Sequence, residues 1–380
     1  MIKYKLGDVV KVISERVDNP ASCSYDKFVG LEHYVSGEIE IKKYGDTSLL
    51  KSAMKIFKSG DILIARRNVY LKRASIVNFD GITSGDSIVL RIEDKLLRSI
   101  IPFILNTDEF WGYAEKFSDG TMSKRLSPKI LLEYEFMLPE IGKQEKLAEL
   151  LWAANNTKEA YKKLLYITDE LVKAHFIEMF GDPITNPLGW QSKPLLETGK
   201  CKNGMNYSSN ESGVKIHCLG VGDFKNLSEI RDTSLLTMIA LNSPPSEEYL
   251  LQNGDIIFVR SNGNKELVGR CLAVYPDGNS ITYSGFCIRF RLLIDSLKIP
   301  YLLQMFKSNS VRQKMVGRGS NIQNLNQKIL SEIDIPIPPI ELQNQFEEFV
   351  QHTDKSKFEL QQNIENLEST IKALMSKNFG

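Results

Sequence analysis

The sequence is short of the residues from which catalytic and metal sites are usually assembled. Its four histidines, His33, His175, His217 and His352, lie far apart. A structural zinc site needs four ligands, and neighbouring His217-Cys218 has no companion pair. The five cysteines, Cys23, Cys201, Cys218, Cys271 and Cys287, form no CxxC, and the odd count reads as reduced thiols in a cytoplasmic protein. There is no Walker-type phosphate loop and no Ser or Cys nucleophile motif. No apolar run is long enough for a bilayer, and MIKYKLGDVVKV has no apolar secretion core, so no membrane role is expected. An excess of one charge is also missing: 48 Lys and Arg face 47 Asp and Glu, for a net +1. That excludes a uniformly basic nucleic-acid binder but leaves room for a local basic patch.

Two short matches to catalytic motifs fail on inspection. Ser243-Pro244-Pro245 resembles the start of the motif of amino-methylating DNA methyltransferases, but Ser246 stands where an aromatic ring must stack on the flipped base. Asp80 with Glu93 and Lys95 has the spacing of a metal-dependent nuclease, but the second half of the chain has no counterpart. Both are read as turns, and no active site is assigned.

What the sequence does contain is a repeat. A chain of 380 residues suggests two to three domains. A shift of 199 residues lays DGTMSKRLSPKILLEYEFMLPEIGKQ over RGSNIQNLNQKILSEIDIPIPPIELQ. Gly120 falls on Gly319, Leu126 on Leu325, Pro139 on Pro338, Gln144 on Gln343, and Phe180-Gly181 on Phe379-Gly380. Upstream, FKSGDILIARR answers LQNGDIIFVRS, each a strand opened by a Gly-Asp turn. YLLQMFKSNSVRQKMV reads as a helix, with SIIPFILNTDEFWGYAEKF as its counterpart.

Each copy ends in a long helical pattern. From Gln144 to Met179 there is no Gly or Pro, and apolar residues recur at Leu147, Leu150, Leu151, Ala154, Tyr161, Leu164, Leu165, Leu171 and Val172. The second copy supplies Phe346, Phe349, Val350, Leu360, Ile364, Leu367, Ile371 and Leu374. One apolar stripe per helix asks for a partner, and the other copy is the economical one, giving an antiparallel coiled coil. A helix of about 36 residues is about 54 Å long, so the pair reads as a ruler between two globular segments. The expected organisation is α+β: a domain at 1–140, a helix at 141–181, a second domain at 182–338 and a distal helix at 339–380.

Positive charge concentrates in the globular segments. After the first Gly-Asp strand come Arg66, Arg67, Lys72 and Arg73, and the polar loop of that copy adds Ser123, Lys124 and Arg125. The second copy offers Arg260, Asn262, Asn264, Lys265 and Arg270, then Arg318, Ser320, Asn321, Gln323 and Asn324. Arg pairs with guanine, Asn and Gln with adenine, and Lys or Ser with phosphate, so these are the candidate DNA contacts. The rival reading is a scaffold without a DNA role: two peptide-binding domains on a coiled-coil rod.

The Gly-Asp strand with its basic loop, the polar glycine loop, IPIPPIELQ and the helix closing on Phe-Gly together resemble a type I restriction-modification specificity subunit. The join MFGDPITNPLGW is similar to the start of a second recognition domain in that family. The resemblance implies two target recognition domains reading the halves of a split, asymmetric DNA target, with the helix pair fixing the spacer. It also implies two methyltransferase subunits acting on adenine N6, and two motor-nuclease subunits that can join them. S-adenosylmethionine, ATP and Mg would belong to those partners, with no cofactor or metal on this chain.

Overall fold

A computed structural model describes residues 1–48, 50–120, 123–224, 228–316 and 324–379. The chain divides into two compact units. One comprises Met1–Leu164 and Leu360–Gly380, the other Leu165–Glu359. The two long helices, Ile141–Phe180 and Ile340–Phe379, therefore contribute one segment each to both units.

In the first unit, Ile62–Ala65 is fully buried and pairs antiparallel with Ser87–Arg91 on one side and Ala74–Ile76 on the other. Lys11–Ile13 extends that sheet beyond Ser87–Arg91. A second sheet carries Met54–Phe57 beside Gly81–Thr83, which runs parallel to Lys27–Val29. The second unit repeats the plan. Asp255–Val259 lies between Cys287–Leu292 and Cys271–Val274, and Ile281–Tyr283 runs parallel to Val214–Leu219. The runs ILIA and, after Asp255, IIFV are buried and apolar at every position because both sheet faces are covered, so they show no alternation.

Gly60 and Gly254 open the paired strands with φ of +89° and +83°, a conformation that favours glycine. Gly60 donates its N–H to the carbonyl of Val77, just past Ala74–Ile76, and Gly254 to that of Val274 at the end of Cys271–Val274. The sequence-based helix of each copy is broken once. Lys95–Ile104 gives way to Asp108–Phe117, and Ile299–Lys307 to Asn309–Val316. Thr107 causes the first break: its side chain caps the new helix by accepting from the N–H of Phe110. Ser308 stands at the second break and donates to the carbonyl of Met305.

Each unit seals its core with a helix pair. Leu147, Ala148 and Leu151 of one helix join Ile371, Met375 and Phe379 of the other in the core of the first unit. Val172, Phe176 and Phe180 join Phe346 in the core of the second. In each unit the start of one helix meets the end of the other, so the segments run antiparallel. The apolar stripe is not all inward, however. Leu150, Leu164 and Leu171 are about half exposed, while Asn155 and Lys158 are buried, Lys158 near Glu38 and Glu159. Helical spacing gives only the period; the sheet and helices beneath decide which side is covered.

The shared glutamines hold the helix starts. Gln144 donates to the carbonyl of Pro139 and Gln343 to that of Pro338, both at 2.8 Å, and both side chains are buried. Among the described residues, no helix is long and apolar enough to cross a membrane.

Candidate nucleic-acid interface

Two loops distant in sequence meet at the same place in both units. In the first, the carbonyl of Arg66 accepts from the N–H of Leu126 at 2.9 Å, and Arg67 forms an isolated antiparallel bridge with Arg125. In the second, the carbonyl of Arg260 accepts from Leu325 at 2.8 Å, and Ser261 bridges Asn324. Arg66 and Arg67 are thereby brought together with Ser123, Lys124 and Arg125. Asn68 adopts a left-handed conformation at φ 54°, donates its N–H to the carbonyl of Lys124, and accepts from the hydroxyl of Ser123.

A third loop completes each cluster, and sequence reasoning missed it. Arg66 donates its N–H to the carbonyl of Asp86 at 2.9 Å, and Arg260 donates to that of Phe286 at 2.8 Å. Asp86 and Phe286 follow the shared Ser-Gly pairs Ser84-Gly85 and Ser284-Gly285. A shift of 200 residues aligns those pairs, which is the signal that points to them. The side chains differ sharply. The Asp86 carboxylate lies 3.2 Å from Arg67 and 3.3 Å from Arg125. Phe286 is 62% exposed.

In the second unit the three loops frame an open cleft of about 930 Å³. Asn262, Lys265 and Asn324 line it, as do Asn206, Tyr207 and Phe286, which the sequence reading did not select. Asn206 packs closely on Gly285: a Cβ there would sit 2.1 Å from the side-chain oxygen of Asn206, so a larger residue would make Asn206 move. Asn262 accepts from the N–H of Asn264, and Asn264 accepts from the N–H of Glu266, so these amides also shape their own loop. Arg260 turns its guanidinium to the carbonyl of Gly285. Arg270 sits partly buried on the same hairpin and donates its N–H to Leu267. Burial pushes the thiols of Cys218 and Cys287 up to about 11 and about 12, which keeps both protonated.

Lys72 and Arg73 are directed elsewhere. The Lys72 ammonium lies 2.7 Å from Asp108 at the start of Asp108–Phe117. Arg73 donates to the carbonyls of Leu31 and Arg67, bracing the loop from behind. Lys124 spends its ammonium on the carbonyl of Glu115. Arg318, Ser320, Asn321 and Gln323 lie outside the described residues.

The arrangement offers basic, amide and aromatic side chains on three loops held by buried sheets. Such a surface suits phosphate attraction combined with contact to base edges.

Comparison with known proteins agrees. Residues 187–369 match the type I restriction modification DNA specificity domain. The chain is 23% identical over 313 residues to the type I restriction enzyme StySPI specificity subunit of Salmonella potsdam, covering 76% of this chain and 66% of that protein. It is 22% identical over 320 residues to the EcoKI specificity subunit of Escherichia coli K12, covering 77% and 67%. The chain thus spans about two thirds of the length of these relatives. In fold it is similar to the type I restriction-modification S subunit from M. genitalium, with a TM-score of 0.53 at 15% identity over 100% of this chain and 96% of that one. A chain solved in a study of complex assembly and conformational transition of the type I R-M system gives a TM-score of 0.55 at 17% identity, over 99% and 96%. Residues 187–369 thus carry the type I restriction modification DNA specificity domain, and over about three quarters of its length the chain is similar to type I restriction enzyme specificity subunits.

Proposed function

We propose that the chain reads a bipartite, asymmetric DNA target, one unit per half-site, and directs the chemistry of partner subunits without catalysing any itself. The observation that carries this is the recurrence of one loop junction in both units, Arg67 with Arg125 and Ser261 with Asn324. A junction kept while its side chains change is the signature of a common scaffold with two specificities.

The basic loops supply salt-dependent attraction to duplex phosphates. Amide, guanidinium and aromatic groups in the same loops discriminate base pairs. The helix pair sets the unread spacer. Two methyltransferase subunits dock on the helices and use S-adenosylmethionine to methylate adenine N6 in each half. Two motor-nuclease subunits, with ATP and Mg, can join to cleave unmodified DNA in the cytoplasm. Support for helix docking comes from apolar side chains left outward on the central helix, among them Tyr166 at 66%, Ile167 at 46% and Leu171 at 53% exposed.

The test is adenine methylation mapping. The chain is co-expressed with its methyltransferase subunit in a host lacking that modification, and the genome is sequenced. One split motif, methylated in both halves and absent without the chain, is expected. A folded, co-purifying complex that leaves no new modification would favour the peptide-binding scaffold instead.

A further inference from the structure

The two units present opposite chemistry at three equivalent positions. Arg67, Asp86 and Arg125 in the first correspond to Ser261, Phe286 and Asn324 in the second, because the same backbone bonds join them. Arg67 bridges Arg125 as Ser261 bridges Asn324. Asp86 accepts the N–H of Arg66 as Phe286 accepts that of Arg260.

Asp86 is unusual on a surface facing phosphates. A carboxylate there repels the backbone, so its place needs another reason. It takes one contact from each of two guanidiniums carried by different loops, with Arg67 48% and Arg125 41% exposed at the side chain. A guanidinium has five N–H donors in a rigid fork, so one contact to Asp86 orients the group and leaves donors for a base edge. Guanine presents two major-groove acceptors that such a fork matches, and a carboxylate can itself accept from the cytosine amino group. The Ser-Phe-Asn set has no formal charge. Asn matches the major-groove edge of adenine, and an exposed ring gains by covering the thymine methyl.

We infer that these positions read a G·C pair in the half-site of the first unit and an A·T pair in the half-site of the second, with Phe286 seated on the thymine methyl and Asp86 positioning Arg67 and Arg125. This rests on the DNA-reading function proposed above.

The experiment is selection by the full chain from randomised duplex oligonucleotides, repeated with Asp86→Asn, Arg67→Lys and Phe286→Ala. The wild type is expected to enrich a split motif with G·C fixed in one half and A·T in the other. Phe286→Ala relaxes one A·T position about 10-fold or more and leaves the other half intact. Replacing that thymine with uracil weakens the wild type but not Phe286→Ala. Asp86→Asn relaxes a G·C position in the opposite half without loss of affinity at low salt, since it removes a negative charge. Arg67→Lys keeps the charge, loses the fork, and relaxes the same position. A split motif unmoved by all three substitutions, or weakened equally for every sequence, would overturn this assignment and leave DNA reading standing. A wild type that enriches no motif would overturn both.

Discussion

Arg291 closes on Asp255 with two parallel bonds, Nε to one carboxylate oxygen and a terminal nitrogen to the other, each at 2.7 Å. Arg91 holds Asp61 in the same way, at 2.8 and 2.7 Å. Both carboxylates are almost fully buried, and each also accepts a backbone N–H from three residues earlier, Gln252 or Lys58. The bonds from Asp255 and Asp61 hold the guanidiniums of Arg291 and Arg91 above their ordinary pKa. The repeat is therefore pinned at its Gly-Asp turns by a charge pair as well as by a glycine.

Removing one partner leaves the other charge without compensation in a low-dielectric setting. Asp255→Ala is expected to destabilise the second unit by about 3 kcal/mol. Two units need not unfold together, so a single melting curve is the wrong readout. Hydrogen exchange separates them: Asp255–Val259 and Cys287–Leu292 should lose protection while Ile62–Ala65 keeps it. Asp61→Ala should give the converse. Equal loss in both units after either substitution would show that the pairs do not act locally.

The basic residues divide by where the structure sends them. Lys265 lines the cleft of the second unit, whereas the ammonium of Lys72 lies at Asp108, at the start of Asp108–Phe117. A phosphate contact releases about 0.9 counterion on binding B-DNA. Lys265→Ala should lower the slope of log affinity against log salt by about 1, and Lys72→Ala should leave it unchanged. Filter or anisotropy titration of the full chain at several salt concentrations reads both. A drop for Lys72→Ala would mean that DNA reaches the side of the unit that carries Asp108.

Much of the architecture was legible in the sequence because it rests on local rules. Gly60-Asp61 and Gly254-Asp255 announce turns before fully buried strands, and an uninterrupted run from Gln144 to Met179 has little choice but a helix. The repeat multiplied these signals. The breaks at Thr107 and Ser308 were less visible, since a single cap competes with a continuing apolar pattern. The basic and amide loops were legible in composition, but their assembly into one cluster was not. Nothing local says that Arg67 meets Arg125, because the bridge forms only after the sheet is built. Asp86 escaped notice for a chemical reason: a lone carboxylate in a loop carries no signal until the two arginines beside it are seen. Leu150 and Leu171 fit a helical period yet face outward, because period alone does not say what lies beneath.

Those outward residues carry the next prediction. Ile167 and Leu171 lie four apart on the central helix and are about half exposed. Residues at that spacing share a helix face, which suits an apolar partner surface. Ile167→Glu with Leu171→Glu should abolish co-purification of the methyltransferase subunit while leaving the salt-dependent DNA binding of the isolated chain intact. Retained co-purification would place the methyltransferase elsewhere.

The helix pair supplies the last prediction. A seven-residue helical insertion adds two turns, about 10 Å, and keeps the apolar register nearly in phase. One insertion after Leu164 and another after Glu359 fall where the chain passes from one compact unit to the other along each helix. Both are needed, because lengthening one helix alone would pull its partner out of register. At about 3.4 Å per base pair, the recognised spacer should grow by about three pairs with both half-sites unchanged. Methylation mapping of the double insertion reads this in one experiment. A changed half-site at constant spacer would show that the helices shape the readers instead of separating them. A lost motif, with hydrogen exchange still protecting both sheets, would show that the partners cannot span the longer rod.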